Sequence, residues 1–183
     1  MNKRIIIGFL SVVFLFFLGS ATPNFHTNDP SLIINKIEIS ITGHSTVGKY
    51  NCSTTFSKND TIFLNIATKN SIKAEIPMVK FDCGNKIMTK DLQSTVKVNQ
   101  FPSSFVTLSN IRPFGSNFKC DLNFCITNKN RFYKDFLLKS NNNKIYGTIA
   151  FNFSDVGLTA PVKMAGLIKV EDQILVNFNL YKN

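Results

Sequence analysis

Past residue 30 the chain alternates apolar and polar positions with a period of two, the pattern of strands that bury one face. "KIEISITG" sets Ile37, Ile39 and Ile41 on one side, "TIFLNIA" does the same with Ile62, Leu64 and Ile66, and "SIKAEIPM" with Ile72, Ala74, Ile76 and Met78. The alternation returns in "FKCDLNFCI", in "KIYGTIAFNF" through Ile145, Ile149, Phe151 and Phe153, and in "QILVNFNL" through Ile174, Val176, Phe178 and Leu180. Turn chemistry separates the runs at Lys58-Asn59-Asp60, Lys69-Asn70, Arg112-Pro113, Asn128 to Asn130 and Asn141 to Asn143. Roughly seven to nine short strands with hairpin-length links predict an all-β fold, an antiparallel sandwich or barrel. A parallel α/β fold is disfavoured because helical segments do not alternate with the strands.

One segment breaks the period. In "NKIMTKDLQSTVKV", residues 85–98, Ile87, Met88, Leu92 and Val96 share one face of a helix, with Lys86, Lys90, Asp91 and Gln93 away from it. Gly84 and Asn85 can turn the chain into this helix, and Pro102 forbids its continuation beyond Phe101. A short helix between strands closes one end of a core, either as a plug or as a lid over a cleft.

The N-terminus, "MNKRIIIGFLSVVFLFFLGSATP", reads as a secretory signal peptide: Lys3 and Arg4, an apolar run from Ile5 to Leu18, then the small residues Gly19-Ser20-Ala21. A membrane anchor would need about 20 apolar residues, and this run is shorter and is followed by Pro23. The expected organisation is a signal peptide over 1–21 cleaved after Ala21, a polar lead-in over 22–33 and one domain over 34–183. Four cysteines in an exported chain permit three disulfide pairings. Cys120 and Cys125 have opposite parity in one strand and face away from each other, which leaves Cys52 and Cys83 as the better pair.

Charge and chemistry narrow the function. The formal charge of +10 becomes +8 once Lys3 and Arg4 leave with residues 1–21, a balance that favours anionic partners such as phosphorylated ligands or lipid head groups. Nucleic acid is disfavoured because the lysines are scattered. His26 and His44 lack any HxxxH, HxH or GxSxG context, the carboxylates are dispersed, and no glycine-rich phosphate loop occurs. Without CxxC spacing a zinc site is disfavoured as well. The chain therefore reads as a non-enzymatic protein with no cofactor and no metal. It carries 18 Phe and no Trp, and Phe81, Phe101, Phe105, Phe118, Phe124, Phe151, Phe153 and Phe178 mostly fall on inferred inward faces. A barrel of about eight strands either fills with its own side chains or holds one small ligand.

The ordered segments "ISITGHSTVGKYNC", "IPMVKFDCGNKIMTKDL", "FPSSFVTLSNI", "FCITNKNRFY", "YGTIAFNFSDVGLTAP" and "GLIKVEDQILVNFNL", spread over residues 34–182, resemble the YceI-like family. The resemblance implies an eight-stranded antiparallel lipocalin-like barrel whose elongated apolar tunnel holds an isoprenoid or similar long-chain lipid in the bacterial periplasm. It also implies a helix covering the barrel and Cys83 placed near Cys52. The chain departs from the family at Asn128, which stands where a turn glycine is usual. Parity and position in the lid nominate Phe81, Met88, Leu92, Phe105, Phe124, Phe151, Phe153 and Met164 as ligand-lining residues, with lysines at the mouth for an anionic head group. The competing expectation is an envelope interaction protein with a filled barrel and no ligand. Peripheral membrane contact and a homodimer are compatible with either.

Overall fold

The computed structural model describes residues 31–64 and 70–183. The expected signal peptide, the lead-in as far as residue 30, and Ile66 lie outside the described residues. The elements are β1 (Ser31–Ser45), β2 (Gly48–Phe63), β3 (Ser71–Pro77), α1 (Lys86–Thr95), β4 (Ser103–Phe114), β5 (Asn117–Ile126), β6 (Lys129–Ser140), β7 (Lys144–Asn152), β8 (Val162–Lys163) and β9 (Ile168–Lys182). Three short 3-10 turns accompany them at Met78–Lys80, Phe153–Val156 and Met164–Gly166.

Eight strands form one antiparallel sheet in the order β2-β1-β9-β7-β6-β5-β4-β3, and the two-residue β8 pairs with β9 off that path. The sheet curls into a nearly closed barrel. Its seam, between β2 and β3, is drawn together just past the end of β3. There Ser53 and Asp82 exchange backbone hydrogen bonds of 2.8 and 2.9 Å, and a disulfide joins Cys52 to Cys83. The expected pairing is thus the one formed. Cys120 is buried and Cys125 half-buried, on opposite faces of β5, and both are free thiols.

Alternation sets the core. Ile37, Ile39 and Ile41 of β1, Ile72, Ala74 and Ile76 of β3, Leu122, Phe124 and Ile126 of β5, and Ile174, Val176, Phe178 and Leu180 of β9 all point inward and are buried. One step of register would turn each set to solvent, so the apolar pattern fixes the pairing.

Two expected turns are instead strand. Lys58-Asn59-Asp60 lies within β2, where the register against β1 shifts between Ile34 and Lys36, so the polar triplet makes a bulge. Arg112-Pro113 lies within β4, which outruns β3 past Ser109 and is an edge from there on, where proline is tolerated. A second bulge in β4, at Asn110 with φ 50°, removes Ile111 from the ladder. The buried Asn70 replaces the lost partner: its Oδ1 accepts from Ile111 N at 2.7 Å and its Nδ2 donates to Ile111 O at 2.5 Å and to Leu64 O at 3.0 Å.

At the β5–β6 turn, Thr127 and Asn128 both adopt positive φ, 48° and 59°, in a two-residue hairpin turn, and asparagine tolerates that conformation as glycine does. β6 and β7 pair at only two positions, Lys139 with Tyr146 and Ser140 with Ile145, before they diverge. Near the pairing the Phe136 ring lies on the face of Gly147, where an added Cβ would sit 2.6 Å from it. Farther along, Thr127 Oγ1 donates to Val156 O at 2.6 Å and Arg131 pairs with Asp155 at 3.6 Å.

Candidate functional site

The site is built at the end of the barrel that carries α1. Asn85 starts the helix: its side-chain oxygen accepts from the Ile87 and Met88 amides at 2.8 and 3.4 Å. Thr89 Oγ1 accepts from Cys83 N at 3.1 Å, and Gln93 Nε2 donates to Val79 O at 3.3 Å. With the disulfide two residues ahead of Asn85, the entry to the helix is fastened to β2. Leu92 and Val96 are buried, whereas Ile87, on the same predicted face, is 71% exposed. Half of the apolar face of α1 therefore caps the core and the other half remains uncovered.

That uncovered half forms one wall of an open cleft of about 560 Å³, whose other walls are the β1–β2 turn and the β8–β9 hairpin. Val47, Tyr50, Met88, Met164, Ile168 and Val170 supply apolar surface, and Lys49, Asp91 and Lys163 the charge. Lys163 Nζ donates to Asp91 Oδ1 at 2.8 Å and straps the β8–β9 hairpin to α1. On the opposite wall, Thr46 N donates to Lys169 O at 3.0 Å and Thr46 Oγ1 to Leu167 O at 2.9 Å.

Tyr50 sits at the floor because it faces Gly43 across the β1–β2 ladder. A Cβ on Gly43 would lie 2.1 Å from the phenol oxygen, so glycine is what lets the ring lie flat there. Burial, and next the charge of Glu171, pushes the Tyr50 phenol up to about 12. It is protonated at physiological pH and can donate to an oxygen of a bound molecule.

Below the floor the barrel is nearly full. An interior void of about 30 Å³ remains. Phe124 packs against Phe151 at 5.5 Å and Phe178 at 6.5 Å between ring centroids. The expected elongated tunnel is therefore not open in this structure, and the larger space is the cleft at the mouth. Tyr50, Leu92 and Phe153 line both spaces and form the partition between them.

The nominated residues divide accordingly. Phe81, Leu92, Phe124, Phe151 and Phe153 are buried around the interior void. Met88 and Met164, the latter 67% exposed, stand at the cleft. Phe105 is a correction: it is 49% exposed on the outer face of β4, because the inward set there is Ser104, Val106 and Leu108. At the Ser104 level the interior is already occupied by Met78, whose sulfur accepts a 3.1 Å hydrogen bond from Ser104 Oγ. Tyr50, Ile168 and the Asp91–Lys163 pair were not foreseen. The signal for Tyr50 was the glycine opposite it; the pair joins elements 72 residues apart and left none.

Among the described residues, Asp91 is the one carboxylate lining the cleft and is committed to Lys163, while His44 is exposed and does not line it. Among the same residues, no three His, Cys, Asp or Glu side chains converge on a point that could hold a metal ion.

No family model matches the chain, and no curated protein matches it in sequence. Among solved structures it is similar to a polyisoprenoid binding domain from Saccharophagus degradans implicated in plant cell wall breakdown. The two superpose with a TM-score of 0.54 over 84% of this chain and 97% of that domain, at 8% sequence identity. The likeness is one of fold, the nearly closed antiparallel barrel.

Proposed function

We propose that this chain is an exported, YceI-like lipid-binding protein whose mouth cleft receives a long-chain apolar molecule of isoprenoid type. The single observation that carries the reading is the apolar cleft of about 560 Å³ over the partition Tyr50, Leu92 and Phe153. Its size falls within the range of roughly 300–1,000 Å³ that small-molecule sites occupy. Support comes from the fold shared with a polyisoprenoid binding domain, and the Cys52–Cys83 disulfide suits an oxidising compartment outside the cytoplasm. The chain lies along the wall of α1 against Met88 and Ile168. The head group sits at the rim beside Lys49, and the apolar end of the molecule reaches down toward Tyr50 at the floor. Burying ten methylenes would contribute about 8 kcal/mol before ordering costs, which leaves micromolar binding within reach.

The test is displacement of a dansylated long-chain fatty acid from wild type and Met88→Glu. Met88 is partly exposed, so the variant folds. A carboxylate in the wall should weaken binding at least about ten-fold, the loss of two methylene contacts. Equal affinity for both proteins contradicts the reading. The nearly filled interior favours a second reading, an envelope interaction protein without a ligand, and failure of wild type to bind any such probe would select it.

A further inference from the structure

The rim of the cleft carries exposed apolar side chains on three separate elements: Val47 on the β1–β2 turn, Ile87 on α1, and Met164 and Leu167 on the β8–β9 hairpin. Leu167 at 73% and Ile87 at 71% are more exposed than any large apolar residue on the described strand faces. A folded domain that leaves large apolar groups together at one end has a use for them there. The elements that present them are held rather than loose. Thr46 ties the β1–β2 turn to Leu167 and Lys169, and Lys163 ties the β8–β9 hairpin to Asp91 of α1.

Charge selects the partner. Lys49 of β2 and Lys169 of β9 are exposed beside these tips, while Lys86 and Lys90 lie on the far side of α1 around Asp82. The carboxylate of Asp91 is taken by Lys163, and the exposed Glu171 stands against Lys49 and Lys169, so the rim keeps a net positive charge around its apolar tips. We infer that this rim docks on the surface of an anionic bilayer, with Val47, Ile87, Met164 and Leu167 entering the head-group region and the lysines over lipid phosphates. Separate tips spaced around a hollow suit a fluid surface. They place the open cleft directly over the membrane, so a lipid could pass between the two without crossing water. The docking does not depend on a bound cargo and is testable without one.

The chain contains no Trp, so a single Leu167→Trp reports on this face alone, whatever residues 1–30 do at a membrane. Phe114→Trp is the control: Phe114 is also exposed, at the β4–β5 turn on the opposite end of the barrel. With phosphatidylglycerol-rich vesicles, the indole emission of Leu167→Trp should move to shorter wavelength and be quenched by brominated acyl chains, and that of Phe114→Trp should do neither. Adding Lys49→Gln and Lys169→Gln to the Leu167→Trp reporter should raise the lipid needed for half the change by about 25-fold, five-fold for each lysine near an anionic surface. Three results would overturn the inference: no change in the Leu167→Trp protein, equal changes in the two reporters, or a response to phosphatidylcholine vesicles as strong as to anionic ones. The first would turn attention to an acidic protein as the partner of this rim.

Discussion

Replacing both Cys52 and Cys83 by alanine tests how the lid and the barrel seam are held. The two residues are 31 apart in sequence. Closing a loop of that length removes about 12 cal/mol/K of chain entropy from the unfolded state, about 4 kcal/mol at 25 °C. For a chain of this size each kcal/mol moves Tm by about 2–4 °C, so the variant should melt about 8–16 °C below wild type. The loss should also be local. Beside the disulfide the seam relies on the Ser53–Asp82 bridge, and Cys83 leads directly into the Asn85 cap of α1. Amide exchange of residues 82–92 should therefore accelerate more than that of the β1–β9 ladder, which runs from Ile34 to Ser45 along β1. Calorimetry of wild type with and without reductant gives the same comparison without altering side-chain volume, and Cys125→Ser controls for the free thiols. A Tm within about 2 °C of wild type in both experiments, or faster exchange spread evenly over the barrel, would refute the reasoning.

Asn70→Ala should cost about 2–4 kcal/mol, because it leaves the buried N–H and C=O of Ile111 without partners, whereas Asn110→Gly at the adjacent bulge should cost little; urea unfolding compares the two. Gly43→Ala should displace the Tyr50 ring and lower both stability and probe affinity, while Phe105→Ser on the outer face should leave affinity unchanged, as measured in the displacement assay. At pH 8, iodoacetamide should label Cys125 in the native protein and reach Cys120 only after denaturation. Burial, then the charge of Asp121, pushes the Cys120 thiol up to about 12. Cys120 and Tyr50 are both held protonated by the fold. Their contributions are complete below the unfolded values of about 9 and 10 and are lost as pH rises toward 12. Stability should therefore fall across pH 9–12, less steeply in Cys120→Ala.

Strand identity and facing were legible because a period of two leaves no choice of which side is buried. Ile72, Ala74, Ile76 and Met78 read inward from sequence and are inward. The helix was legible because its period differs from that of its neighbours, and Asn85 marked its start. The Cys52–Cys83 pair followed from the opposed faces of Cys120 and Cys125.

What failed were places where tertiary context overrides local chemistry. Lys58-Asn59-Asp60 and Arg112-Pro113 carry turn residues, yet continued pairing with β1 and β5 keeps each in a strand as a bulge or an edge. Phe105 looked like core because it is large and apolar, but the parity of β4 is set by Val106 and Leu108. The site was half legible. Parity and position in the lid nominated Met88, Leu92 and Met164 as ligand-lining, and all three border the cleft. The filling of the barrel by Phe124, Phe151 and Phe178 is a matter of volume, which alternation does not report.

The central claim is that the cleft over Tyr50, Leu92 and Phe153 holds a long apolar chain. Native mass spectrometry of the protein purified from its own host, followed by organic extraction and identification of what co-purifies, tests it most directly. A stoichiometric long-chain lipid that is lost from Met88→Glu is the expected result. An empty protein that also takes up neither isoprenoid nor fatty-acid probes would contradict the account.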